Sequence, residues 1–171
     1  MKNFIIIGIL ILAFTTANAQ ETKKLSRKEK KAAREALKIE TTKTVLENKA
    51  YVFSATQALP TGMRSKTLTS SYDARIENDT IFCYLPFFGR SHSAEYGSNQ
   101  SPMDFTQPIE NYEFKNTKKG YEIKFEVSNK TDRLVFFFQI AETGSTSLSV
   151  NSTNRSTMSY YGDIIDIEKK E

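Results

Sequence analysis

The sequence is short of the residues that metal and nucleophile chemistry draws on: it has one cysteine, one histidine and no tryptophan in 171 residues. A lone cysteine cannot close an intramolecular disulfide, so the fold must be held by burial alone. Cys83 sits in the apolar stretch TIFCYL with no Lys, Arg or His beside it, and reads as a small buried hydrophobe rather than a reactive thiol. One His and one Cys fall short of a zinc ligand set, and the acidic residues show no EF-hand spacing. No Gly-rich loop precedes a helix to cradle phosphate. No metal or other cofactor is therefore expected. Any Ser-His-Asp triad would have to be built on His92, which stands in Arg90-Ser91-His92-Ser93 and reads as a loop histidine.

Long hydrophobic runs are also missing. The longest, Phe4 to Phe14, falls well short of the roughly 20 residues that span a bilayer. With Lys2 before it and the small-x-small triplet Ala17-Asn18-Ala19 after it, this run reads as a secretory signal peptide over residues 1–19, cleaved after Ala19. No Cys follows the small residues, so a lipoprotein anchor at that site is excluded. The expected destination is the periplasm, with the chain soluble once the leader is removed.

Charge is present, but unevenly. Residues 20–49 carry ten Lys/Arg against five Glu, whereas residues 50–171 carry thirteen Lys/Arg against fifteen Asp/Glu. Residues 20–49 read as a basic, Lys/Glu-rich helical lead-in. Ser26-Arg27-Lys28-Glu29 fits a capping box, and good helix formers follow to Lys38. The apolar stripe is thin, with a β-branched break expected at Thr41-Thr42 and a second half, Val45 and Leu46, able to dock. The cluster over residues 23–38 is a candidate contact for an anionic membrane surface. It has no interleaved aromatic residues, so no nucleic-acid partner is expected.

From Ala50 the period changes to alternation. Tyr72, Ala74 and Ile76 alternate with polar neighbours, and Asn78-Asp79 is a two-residue turn into Thr80–Leu85. Tyr121, Ile123, Phe125 and Val127 alternate with Glu122, Lys124 and Glu126. Leu134–Ile140 is apolar on both faces, and Gly162 precedes a short tail, DIIDI. Residues 50–171 thus read as one mainly β domain: an antiparallel meander forming a sandwich or a small, partly closed, lipocalin-like barrel. The stretch Pro86–Pro108 holds three of the four prolines and reads as one long loop.

Four segments carry a family resemblance: AYVFSATQALPTG (Ala50–Gly62), YLPFFGRSHSAEYG (Tyr84–Gly97), the Lys119-Gly120-Tyr121 turn and VNSTNRSTMSYYG (Val150–Gly162). Together they resemble the domain of unknown function 4251 family. That resemblance implies an exported protein of a Gram-negative bacterium, with a leader and a Lys/Glu-rich segment ahead of a single β-rich domain. It carries over no catalytic or ligand residue.

The expected function is non-enzymatic: binding of an envelope protein partner or a small apolar ligand through Phe87, Phe88, Arg90, Tyr96 and Arg155. The two arginines otherwise read as ties that pin their loops. The alternatives are a hydrolase using His92 or a carboxylate pair, and a purely structural envelope protein. Asp79-Thr80-Ile81 fits an Asp-Thr-aliphatic O-glycosylation pattern, which makes Thr80 a candidate acceptor.

Overall fold

The computed structural model describes residues 26–90, 101–129 and 132–169. The leader, its cleavage residue Ala19 and residues 20–25 lie outside the described residues. The chain divides into two compact units, residues 1–33 and 34–171. In the first, the described residues open helix α1 (Arg27–Glu47). The capping box forms: Glu29 N–H donates to Ser26 Oγ at 3.2 Å, and Ser26 N–H donates to the Glu29 carboxylate at 2.8 Å. Those bonds hold the Glu29 carboxyl below its ordinary pKa.

The second unit begins with residues 34–47 of α1, which run straight through Thr41-Thr42 without the expected break. A β-branched residue costs a helix only about half a kcal/mol. Burying Leu46 to 1% exposure contributes roughly 2 kcal/mol in the other direction. Thr42 and Val45 are buried with it, so packing wins. The helix ends in a Schellman motif: Ala50 N–H donates to Val45 O at 3.0 Å and Lys49 N–H to Leu46 O at 3.2 Å. Lys49 takes the left-handed position that glycine usually fills (φ 51°).

Nine strands follow: β1 (Tyr51–Pro60), β2 (Lys66–Glu77), β3 (Thr80–Tyr84), β4 (Asp104–Pro108), β5 (Glu110–Thr117), β6 (Gly120–Asn129), β7 (Asp132–Ala141), β8 (Ser145–Ser152) and β9 (Met158–Ile165). They form one antiparallel sheet in the order β4-β3-β2-β1-β9-β8-β7-β6-β5. Its two edge strands, β4 and β5, are consecutive in the chain and separated only by Ile109. One run of backbone therefore joins both edges and draws the sheet nearly shut into a meander barrel. The sandwich alternative is set aside, because a single sheet accounts for every strand.

Local sequence explains most of these elements. Asn78 and Asp79 both have positive φ (51° and 54°), as a tight two-residue hairpin requires. Two expectations for the strands also need correction. The Pro86–Pro108 loop ends early, since Asp104–Pro108 pairs with β3 as strand β4. Its prolines pointed to a loop, but Pro108 closes an edge strand, where its missing N–H costs little. Phe105 meanwhile turns inward to pack on the Phe136 ring at 6.4 Å. The tail DIIDI is also strand in part: Asp163, Ile164 and Ile165 pair with Ser54, Phe53 and Val52 of β1. Gly162 is no stop. A Cβ there would lie 2.0 Å from Ser54 O, so only glycine lets β9 lie this close to β1.

The interior is filled by aromatic rings. Phe125 stacks on Phe136 at 5.0 Å and on Phe138 at 5.8 Å, and Tyr51 and Phe53 meet Phe138 edge-on at 6.3 and 5.8 Å. All five are fully buried.

Candidate binding rim

Alternate turns of a meander share an end. The β1–β2, β3–β4, β6–β7 and β8–β9 connections therefore gather at one rim, opposite the end met by residues 34–47 of α1. The rim is organised around Asp132, the first residue of β7, whose side chain is 4% exposed. Its carboxylate accepts from Ser152 Oγ at 2.8 Å, Thr153 N–H at 3.1 Å, Asn154 N–H at 3.3 Å and the Arg155 guanidinium. A buried carboxylate needs this many partners to offset its lost hydration. In return, one residue fixes the whole β8–β9 turn, and Arg155 is engaged in holding it.

The segment Pro86–Arg90 is tied to that turn. Ser156 N–H donates to Arg90 O at 3.0 Å, and Arg90 N–H donates to Ser156 Oγ at 2.8 Å. The Tyr160 hydroxyl donates to Pro86 O at 2.9 Å from inside the barrel, and burial pushes that phenol's pKa up. A Cβ on Gly89 would stand 2.3 Å from Ser156 Oγ and 2.7 Å from the Phe87 ring, so the segment can lie this close only without a side chain there. Phe87 and Phe88 are half-buried against the core, and Lys66 Nζ sits 4.0 Å above the Phe88 ring. Thr61 Oγ1 donates to Thr157 O at 2.9 Å, which brings the β1–β2 loop to the same turn. Past residues 91–100, Leu85 N–H donates to Met103 O at 3.1 Å and closes the base of the β3–β4 connection.

The structure thus brings together Phe87, Phe88, Arg90 and Arg155. Tyr96 and His92 lie outside the described residues. Arg64 and Lys66, which the sequence did not single out, complete a set of three exposed cations with Arg90. None of the three ion-pairs with a carboxylate among the described residues. The β domain as a whole carries an excess of acids, so a positive rim is a local departure from its composition. Ser156 and Asp132 were also missed. The available signal was the meander itself, which places the turn after Pro60 at the same end as Pro86–Arg90.

Other parts of the molecule offer less. Thr80 opens β3 at the far end, half-buried, its hydroxyl 3.4 Å from Asn78 O. Cys83 is buried, and burial pushes its thiol pKa far above the range of a nucleophile. A groove of about 820 Å3 lies on the outer face of the barrel, lined by Thr56, Glu122, Gln139, Ser147 and Tyr161 among others. No helix among the described residues is long and apolar enough to cross a membrane.

No curated protein matches the chain. The crystal structure of a DUF4251 family protein from Bacteroides eggerthii is similar, with a TM-score of 0.62 at 13% identity over 81% of this chain and 93% of that one. At this identity the likeness is one of fold. The family model of the domain of unknown function DUF4251 matches residues 33–164, from the middle of α1 to the strand that closes the barrel on β1. The chain belongs to the DUF4251 family.

Proposed function

We propose that this is an exported, periplasmic, non-enzymatic binding protein that engages, at its rim, an anionic ligand or partner carrying an apolar portion. One observation carries the reading: Arg64, Lys66 and Arg90 stand exposed on the connections of one rim, without described carboxylate partners, and Lys66 Nζ lies over the half-buried Phe88 ring. Unpaired cations next to aromatic surface favour an anion whose remainder is hydrophobic. The backbone bonds between Arg90 and Ser156 supply preorganisation, which lowers the ordering cost of binding. Export rests on the leader over residues 1–19 and its Ala17-Asn18-Ala19 cleavage site.

An amphiphile titration tests the rim. Dodecyl phosphate below its micelle concentration is expected to shift the amide signals of Arg90, Ser156 and Lys66, and nonionic dodecyl maltoside to leave them in place. The triple variant Arg64→Glu, Lys66→Glu, Arg90→Glu is expected to lose the response. Equal shifts with both detergents, or none with either, would overturn the reading. Export is tested separately by fractionating the host and sequencing the mature N-terminus, which is expected to begin at Gln20.

A further inference from the structure

Among the described residues, strand β5 ends the sheet and is paired on one side only, with β6. No backbone hydrogen bond among the described residues reaches its other edge. Six of its eight residues are exposed, and only Tyr112 and Phe114 are half-buried. The direction of its free groups follows from the hairpin. Thr117 and Gly120 flank the two-residue turn and pair across it, so the main-chain groups of Thr117 point toward β6. By alternation those of Lys115 and Glu113 do the same, while those of Phe114 and Asn116 face away. A free edge of this kind is a template for another strand unless charge or a bulge blocks it. The bulge between Glu110 and Glu113 blocks the first half and leaves Glu113 to Thr117 straight.

The charges on the straight half form a self-complementary pattern. Glu113 and Lys115 project from the outer face two residues apart, on either side of Phe114, with side chains 48% and 66% exposed. Within the chain Glu113 meets Lys115 at 3.2 Å and Lys124 at 3.9 Å, both in solvent.

We infer that β5 is a homodimer edge, pairing antiparallel with β5 of a second copy about a two-fold axis through Phe114. In that register Phe114 exchanges both main-chain hydrogen bonds with its equivalent. Glu113 falls opposite Lys115 of the second copy, and Lys115 opposite its Glu113. Opposite charges directly across an antiparallel pair favour it, and like charges oppose it. The same patch serves both copies, as a two-fold interface requires.

Sedimentation velocity over a concentration series, on the chain from Gln20 onward, tests this with a pair of charge reversals. The unaltered chain is expected to dimerise as concentration rises. Glu113→Lys sets lysine against lysine and Lys115→Glu sets glutamate against glutamate, so each alone is expected to weaken the dimer on the order of tenfold. An equimolar mixture of the two restores both cross-strand pairs and is expected to recover the dimer. The same reversals on the exposed face of α1, Lys43→Glu mixed with Glu47→Lys, control for net charge and are expected to leave self-association of each variant unchanged. Asn116→Pro, which removes an outward N–H, is expected to abolish the dimer. A chain that stays monomeric at millimolar concentration overturns the inference. So does a dimer that survives both single reversals, or a mixture no more dimeric than its components.

Discussion

The end of the barrel met by residues 34–47 of α1 and the rim opposite are closed in different ways. At the helix end, Val45 and Leu46 enter the core and the connections are short turns. Its polar ties are mostly local or solvated, such as the pair between Lys49 Nζ and Asp79 at 2.8 Å and the Ser145 Oγ bond to Asp163 at 3.0 Å. At the rim, closure depends on hydrogen bonds converging on a few residues: Asp132 for the β8–β9 turn, and Ser156 with Tyr160 for Pro86–Arg90. Apolar burial is tolerant of detail and gives stability. Converging hydrogen bonds specify geometry, and they leave side chains such as Arg64, Lys66 and Arg90 free to meet something else.

If the difference is real, truncation should cost most at the helix end. Leu46→Ala removes a side chain that is 1% exposed and leaves a hole beneath α1, which costs about 3 kcal/mol. A chemical denaturation midpoint measures this, and rim binding by the folded fraction should stay intact. A loss under about 1 kcal/mol would mean that α1 is an accessory to the fold.

Asp132→Ala should rank second. It strips the carboxylate from Ser152, Thr153, Asn154 and Arg155 together. Arg155 is 19% exposed and can turn to water, so the expected loss is about 2 kcal/mol rather than the full penalty of a stranded buried charge. Unlike Leu46→Ala, this change should also disorder the β8–β9 turn, read as faster amide exchange at Thr153, Asn154 and Ser156.

Local patterns are the part of the molecule legible in sequence. The capping box, the Asn78-Asp79 turn and the alternation of β6 are local patterns, and each forms where it was read. The rim is made of contacts between residues far apart in the chain. Asp132 reaches Arg155 across 23 positions and Arg90 reaches Ser156 across 66, and no period or propensity encodes either. Phe87, Phe88 and Arg90 could be singled out because they crowd one irregular stretch, whereas Arg64 and Lys66 join them only once the strand order is known. Strand β4 was hidden for a related reason. Proline signals a break locally, but its cost depends on whether the N–H faces a neighbour, which is a property of the sheet.

A smaller effect separates rim geometry from stability. Gly89→Ala places a methyl against Ser156 Oγ and the Phe87 ring, and both must move. The expected stability loss is about 1 kcal/mol. Displacement of Arg90 should weaken dodecyl phosphate binding by more than that loss in stability explains. Comparison with Gly62→Ala checks this, because a Cβ there meets nothing within 4 Å and only its positive φ is strained.

The smallest effect is one chemical change with opposite signs at the two ends. The Tyr51 hydroxyl, at the start of β1, is buried beside the Tyr112 hydroxyl and makes no well-formed hydrogen bond among the described residues, whereas Tyr160 donates to Pro86 O. Tyr51→Phe keeps the ring contact with Phe138 and removes a buried hydroxyl that is poorly partnered, so it should leave stability unchanged or raise it by up to about 1 kcal/mol. Tyr160→Phe orphans a carbonyl and should lower stability by about the same amount. Alkali moves both variants the same way against the parent. Burial, and then the neighbouring Tyr112, raise the Tyr51 pKa well above 10.0. The folded state therefore holds that proton after the unfolded chain has released it. The stability linked to it is complete below pH 10.0 and is lost as pH rises from there through the folded pKa. Tyr51→Phe has no such proton, so its advantage over the parent should widen in urea melts run above pH 10.0. Tyr160 is shifted in the same direction by burial, so the deficit of Tyr160→Phe should shrink over that range, because the parent loses the linked stability and the variant does not. Equal stabilities of the two variants below pH 10.0 would mean that their hydroxyls are equally well partnered, and that the two ends are not built differently after all.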